Sequence, residues 1–266
     1  MGKTITIWGS PGSGKSMFSC MLARILSRDK SKVVIVNADT SVPMLPVWLP
    51  GREVSENVSL GQVLTSIEID AALAASHVVV LKAWPYIGVM GYAAGENPLS
   101  YPDIKYEMAL QLINVVKKLV DYVILDCSAQ MMNVFTPAAI ESGDLIIRVL
   151  TPDLKGIHYL KANQPLLEDE RFRYNEHLTF AGLARPFHAI DEMGHMIGKW
   201  DGLLPYGKEI DRCATEGGMF RAVKFCNSRY LASFNCILEA LDRMEAAGLE
   251  EDREGEMQEE ENESFK

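Results

Sequence analysis

The amino-acid sequence predicts an α/β fold, a doubly wound, mainly parallel sheet flanked by helices. Three observations lead there. Short β-branched runs alternate with stretches of helical periodicity, as repeated strand–helix–strand units require. A glycine-rich segment, residues 9–16, joins the first apolar run to the first helix-like one. Two further runs, 33–39 and 121–128, carry Asn37, Asp39 and Asp126 at their carboxyl ends, where an open parallel sheet borders its ligand crevice.

In chain order, Thr4-Ile5-Thr6-Ile7-Trp8 reads as a buried strand, and Met17, Cys20, Met21, Leu22, Ile25 and Leu26 recur at helical spacing. Between them Gly9-Ser10-Pro11-Gly12-Ser13-Gly14-Lys15-Ser16 fits G-x-x-x-x-G-K-[ST] at every fixed position, in the strand–loop–helix setting the motif needs. Gly12 and Gly14 lack Cβ, so the backbone from Gly9 through Pro11, Ser13 and on to Met17 can wrap an anion at a helix N-terminus. Lys15 then reaches the β and γ phosphates as a point charge, and the Ser16 hydroxyl holds Mg²⁺. The expectation is a nucleoside triphosphate site; the alternative is a glycine-rich turn with a chance Lys-Ser.

The 266 residues suffice for one large core, and a single domain over residues 1–248 is expected. Apolar residues make up 48% of the chain without a long uncharged run, so no spanning helix is expected, and the first strand begins too early for a secretory signal. Five cysteines without a C-x-x-C pair and five histidines without ligand spacing point to neither a disulfide framework nor a zinc site, which fits a reducing cytoplasm. Of the net charge of −10, residues 250–266 carry nine acidic side chains against two basic ones. Residues 249–266 are therefore read as an acidic disordered tail on a nearly neutral body.

The second strand, ending Val36-Asn37-Ala38-Asp39, places Asp39 to orient a water or the metal's outer shell, or simply to start a turn. Prolines rule out a continuous helix over residues 42–50, an apolar loop that is either buried or partner-binding surface. Helical pieces over 60–74, an apolar strand at 77–81 and the run Gly88-Val89-Met90-Gly91-Tyr92 lead into a long loop, and 106–119 is an amphipathic helix. The strand ending in Asp126 offers a carboxylate for Mg²⁺, directly or through water, or else a turn cap. Strands over 145–152 and 178–184, a helix over 157–167, a short strand at Leu203-Leu204-Pro205-Tyr206, a brief glycine-stopped helix at 209–218 and a last amphipathic helix at 230–247 complete the reading.

Taken together, residues 9–16, 34–39, 121–129 and the Leu203-Leu204-Pro205-Tyr206 segment with Ala214-Thr215-Glu216-Gly217-Gly218 resemble the ParA/MinD group of P-loop ATPases over most of residues 1–245. Residues 91–98 are similar to the branch that places pilus-assembly machinery. The resemblance implies an ATP-driven switch in which ATP favours a face-to-face homodimer and a surface for DNA, membrane or a protein partner. Three positions depart from the pattern: Ser10 where a second lysine is usual, Asn37 where an aspartate is common, and a strand ending Gly182-Leu183-Ala184-Arg185 without the adenine-reading asparagine. Slow or partner-assisted hydrolysis follows, with adenine packed near Arg185 and against Pro205 and Tyr206.

The expected function is a cytoplasmic Mg²⁺-dependent ATPase of positioning or partitioning type, with Lys15 and Asp39 as catalytic residues and Ser16 and Asp126 on the metal. The alternatives are a nucleotide-dependent binding module with negligible turnover and a small-molecule kinase. Arg171, Arg173, Arg185, Arg212, Arg221, Lys224 and Arg229 offer a non-specific DNA surface if they gather, whereas the acidic tail argues against membrane attachment.

Overall fold

The central strand of the sheet is the one that feeds the glycine loop. In the computed structural model, which describes residues 1–49 and 58–264 with side chains to residue 247 except Arg229, eight strands form one sheet. Its first half contains β1 (Lys3–Gly9), α1 (Lys15–Leu26), β2 (Val33–Asn37), α2 (Leu45–Trp48), α3 (Leu60–Leu64), α4 (Ala71–Ser76), β3 (Val79–Leu81) and β4 (Trp84–Met90). There follow α5 (Tyr106–Lys117), β5 (Tyr122–Asp126), α6 (Phe135–Ser142), β6 (Leu145–Leu150) and α7 (Leu154–Asn163). The chain ends with β7 (Leu178–Ala184), α8 (Ile190–Ile197), β8 (Gly202–Pro205), α9 (Lys208–Thr215) and α10 (Ser228–Ser264).

Strand order is β3-β4-β2-β5-β1-β6-β7-β8, and every described pairing is parallel except β3 with β4. Because the central strands are covered on both sides, both of their faces are buried, and even Thr4 and Thr6 of β1 are fully enclosed. Ile5, Ile7, Ile35, Val89 and Ile147 pack toward α1 and the first half of α10, with Phe18 stacked on Phe234 at 5.0 Å between centroids. Trp8, Val34, Val36, Val123 and Leu125 face the other layer, built from α3 to α7. The parallel register brings Gly9, Asn37, Asp126 and Thr151 to one edge, which sets the stage for a crevice there.

The predicted doubly wound sheet is present, with local differences. Of the run read as a strand at 77–81, residues 79–81 pair with 84–90 in an antiparallel hairpin turned at Lys82-Ala83, a pair with no glycine or asparagine to announce it. The proline-spaced segment contains one turn of helix, α2, with Pro46 in its first turn where a missing N–H costs nothing. Met44, Leu45, Trp48 and Leu49 there are buried, so most of the segment belongs to the core; Pro50 lies outside the described residues. Two helices, α6 and α8, had no counterpart in the sequence reading. The last helix continues to Ser264 through the stretch read as a disordered tail, a stretch rich in glutamate, which is a good helix former.

Candidate nucleotide-binding site

The strand-to-helix turn at residues 9–16 takes its shape from three glycines. Gly9, Gly12 and Gly14 have φ of 142°, 68° and 88°, a region that other residues rarely adopt. At Gly9 a Cβ would also lie 2.0 Å from the Val149 carbonyl oxygen. Gly14 caps α1 without any side-chain hydrogen bond, so the first amides of that helix stay available to an anion. From behind, β7 supports the loop: a Cβ at Gly182 would meet the Ser13 carbonyl oxygen at 2.1 Å.

Lys15 leads into α1 with its side chain buried and its Nζ donating to the carbonyls of Gly9 at 3.2 Å and Ser10 at 3.1 Å. Burial pushes its pKa down, while the carboxylates of Asp126 and Asp39 pull the other way. Ser10 is buried too. Its hydroxyl accepts from the Thr151 N–H at 2.9 Å and so ties the loop to the end of β6, facing inward rather than out of the cleft.

Asp126 ends β5 with no solvent exposure. Its Oδ2 accepts from Asn37 Nδ2 at 2.9 Å, and its Oδ1 has no protein partner. Burial raises its pKa; the Ser16 hydroxyl, the Asn37 amide and the Lys15 charge oppose that rise. A buried, partnerless carboxylate oxygen next to a serine hydroxyl fits a hard divalent cation completed by phosphate oxygens and water. Among the described residues no group of three His, Cys, Asp or Glu side chains gathers to hold a metal ion.

Asn37 also accepts from the Met44 N–H at 3.4 Å, linking the buried carboxylate to the loop that carries Asp39. Asp39 caps its own turn, with Oδ1 accepting from the N–H groups of Ser41 at 2.9 Å and Val42 at 3.2 Å, and it lines the cleft as well. The turn-starting alternative read from the sequence is thus present, and the same residue borders the cleft. Gln130, in the turn after β5, donates to Ser41 Oγ at 3.3 Å and joins the two loops across the cleft mouth.

The cleft has a volume of about 450 Å³ and runs from the glycine loop to α9. Pro11, Gly12, Gly14, Lys15, Ser16, Met17, Asp39 and Tyr206 line it, whereas Gly9, Ser13, Asp126, Arg185 and Pro205 do not. Arg185 lies over the Tyr206 ring at 4.2 Å, and Tyr206 donates its hydroxyl to Asp211 Oδ2 at 3.2 Å. Leu183, beside Gly14 of the loop, and Ile210, Asp211, Ala214 and Met219 also line the cleft and were missed in the sequence. Ile210 and Ala214 are four apart on one helix, a spacing that places both on one face and was the available signal. The basic residues read as a DNA surface are mostly exposed, and three are committed to ion pairs: Arg171 with Glu141 and Asp169, Arg173 with Glu176, and Arg212 with Glu209 and Glu216. Arg229 lies outside the residues whose side chains are described.

Comparison with known proteins adds a sequence family and a set of similar folds. Residues 5–241 match the family described as the CobQ/CobB/MinD/ParA nucleotide binding domain. A ParA family ATPase from Chlorobium tepidum TLS superposes with a TM-score of 0.72 at 19% identity, over 91% of this chain and 99% of that one. The septum site-determining protein MinD from Pyrococcus horikoshii OT3, solved with Mg-ADP, gives 0.68 at 17% identity, over 92% and 97%. A putative plasmid partition protein from Borrelia burgdorferi B31, solved with AMPPNP, gives 0.70 at 17%, over 92% and 100%. No curated protein sequence matches.

Proposed function

The chain belongs to the CobQ/CobB/MinD/ParA nucleotide-binding family, and from that premise we propose that it is a Mg·ATP-dependent switch that positions or partitions DNA or a cellular assembly. The observation that carries the proposal is the glycine cradle facing Lys15, with the partnerless Oδ1 of buried Asp126 behind it. Lys15 exchanges its two carbonyl contacts for phosphate oxygens, and the amides at the start of α1 hold the same phosphates by directed hydrogen bonds. Ser16 and Asp126 would hold Mg²⁺, which when bound would supply positive charge against the phosphates. Asp39 orients the attacking water, its backbone-bonded Oδ1 keeping the carboxylate in place.

Ser10 favours a second reading of the turnover. Its side chain faces Thr151, so the glycine loop brings a single lysine to the phosphates, and hydrolysis by the isolated chain is slow or negligible. A homodimer formed with ATP, a protein partner that speeds turnover and a cytoplasmic setting complete the proposal. No helix among the described residues is long and apolar enough to cross a membrane.

Calorimetric titration tests the core of this. Wild-type protein should take up ATP with Mg²⁺, and Lys15→Ala should lose affinity by about 100-fold, the scale of a charge-assisted phosphate contact. Equal affinity in the two proteins would remove Lys15 from the site.

A further inference from the structure

We propose that a groove beside α3 and α5 is the docking surface for a cationic amphipathic helix of a partner protein. It lies between the turn that follows α3 and the loop that leads into α5, has a volume of about 650 Å³, and shares no lining residue with the nucleotide cleft. The inference therefore stands apart from the nucleotide reading. Leu64, Tyr101 and Met108 line the groove with apolar and aromatic surface. Ile67, also in its wall, is fully exposed, and Leu99, next in the chain to groove-lining Ser100, is 85% exposed. Single apolar side chains on a surface are ordinary, but two that border an apolar groove extend it into a patch that is costly to leave in water.

The loop side of the groove is held in place before any partner arrives. Asn97 Oδ1 accepts from the Leu99 N–H at 2.9 Å and Ser100 Oγ from the Asn97 N–H at 3.0 Å, a turn closed by its own side chains that leaves Leu99 outward. Glu96 accepts from the hydroxyls of Tyr101 and Ser59, each at 2.6 Å, and from the Ala93 N–H at 2.7 Å. Tyr101 lies so close to α3 that a Cβ at Gly61 would come within 2.1 Å of its ring. Little ordering is left for binding to impose on this side.

Charge selects the occupant. Glu68 beside Ile67, Asp103 in the groove wall and Glu107 beside Met108 are exposed and form no ion pair among the described residues. Lys105 is the one basic side chain that lines the groove. Such a border repels nucleic acid and anionic lipid, and a second copy docked face to face would set the same carboxylates against one another. It attracts lysine and arginine. The lining residues belong to α3, a turn, a loop and α5, so no strand edge is open to pair with an extended peptide. An occupant must satisfy its own backbone, as a helix does.

The probe is a fluorescently labelled peptide of about 18 residues with leucine on one helical face and lysine on the other, and its counterpart with glutamate for lysine, each titrated with the full chain by anisotropy. Wild type should bind the lysine peptide with a dissociation constant below about 100 μM and the glutamate peptide at least about 10-fold more weakly. Ile67→Ser combined with Leu99→Ser should weaken the lysine peptide by about 10-fold or more. Glu68→Lys combined with Asp103→Lys should invert the preference, a swap that contact with the acidic carboxyl-terminal segment does not produce. All four positions are exposed, so both variants should keep the wild-type denaturant midpoint. No binding by wild type, or an affinity for the lysine peptide unchanged in either variant, overturns the proposal. So does retention of wild type on phosphatidylserine vesicles that the Ile67/Leu99 variant loses, which would give the surface to a membrane instead.

Discussion

At the scale of single residues, the site separates what holds from what reacts. Asn37 and Ser10 bind only protein: one clamps Asp126 and the Met44 amide, the other the Thr151 amide. Asp39 is the half-buried counterpart, its Oδ1 committed to its own turn while the residue lines the cleft. Replacing it by alanine should leave ATP affinity within about 3-fold and lower single-turnover hydrolysis about 100-fold, the usual weight of a positioned base. Equal hydrolysis rates in the two proteins would show that its carboxylate serves the turn alone. The motif residues were legible because G-x-x-x-x-G-K-[ST] ties residue type to position: glycine at positive φ, lysine at the helix start. Asp211 was not, because an exposed aspartate in the first turn of an amphipathic helix looks like any favourable dipole contact.

Elements explain why the glycine loop keeps its shape. It lies between β1 and α1, but its floor is β7, where Gly182 touches the Ser13 carbonyl. Gly182 does not need glycine for its backbone angles, so its absence of a side chain serves the close approach alone. Gly182→Ala should cost about 1–3 kcal/mol of stability through overpacking and weaken ATP binding together with it, seen by denaturant midpoint and titration. A variant that binds ATP as wild type does would mean that the loop relaxes freely off β7. Central strands were legible from the sequence because apolar, β-branched runs ending in polar residues have few other uses in a parallel sheet. The helices α6 and α8 were not: α6 is eight residues long with Pro137 inside its first turn, and α8 carries Gly194, against which the Trp200 ring packs at 3.1 Å from where a Cβ would be. Neither pattern offers a clear periodicity over eleven or more residues.

On the scale of the whole molecule, four large apolar side chains stand exposed along the same edge as the cleft: Val42 after β2, Met132 after β5, Leu154 at the start of α7, and Phe187 after β7. Phe187 is 76% exposed and Met132 89%. The parallel topology puts the carboxyl ends of all four strands together, so these residues come from distant parts of the chain and form no run that a reading of the sequence detects. An apolar rim around a nucleotide cleft is costly in water and is relieved when a second copy covers it. The proposed homodimer therefore uses this face, with bound nucleotide completing it. Light scattering should give the mass of one chain with ADP and of two with a non-hydrolysable ATP analogue. Phe187→Asp places a charge in the rim, away from the core, and should leave the monomer folded and ATP-binding while raising the dimer dissociation constant at least about 10-fold. Undiminished dimerisation of that variant would move the interface to another face of the molecule, and a single-chain mass for wild type with the analogue would leave the switch to act through a different partner.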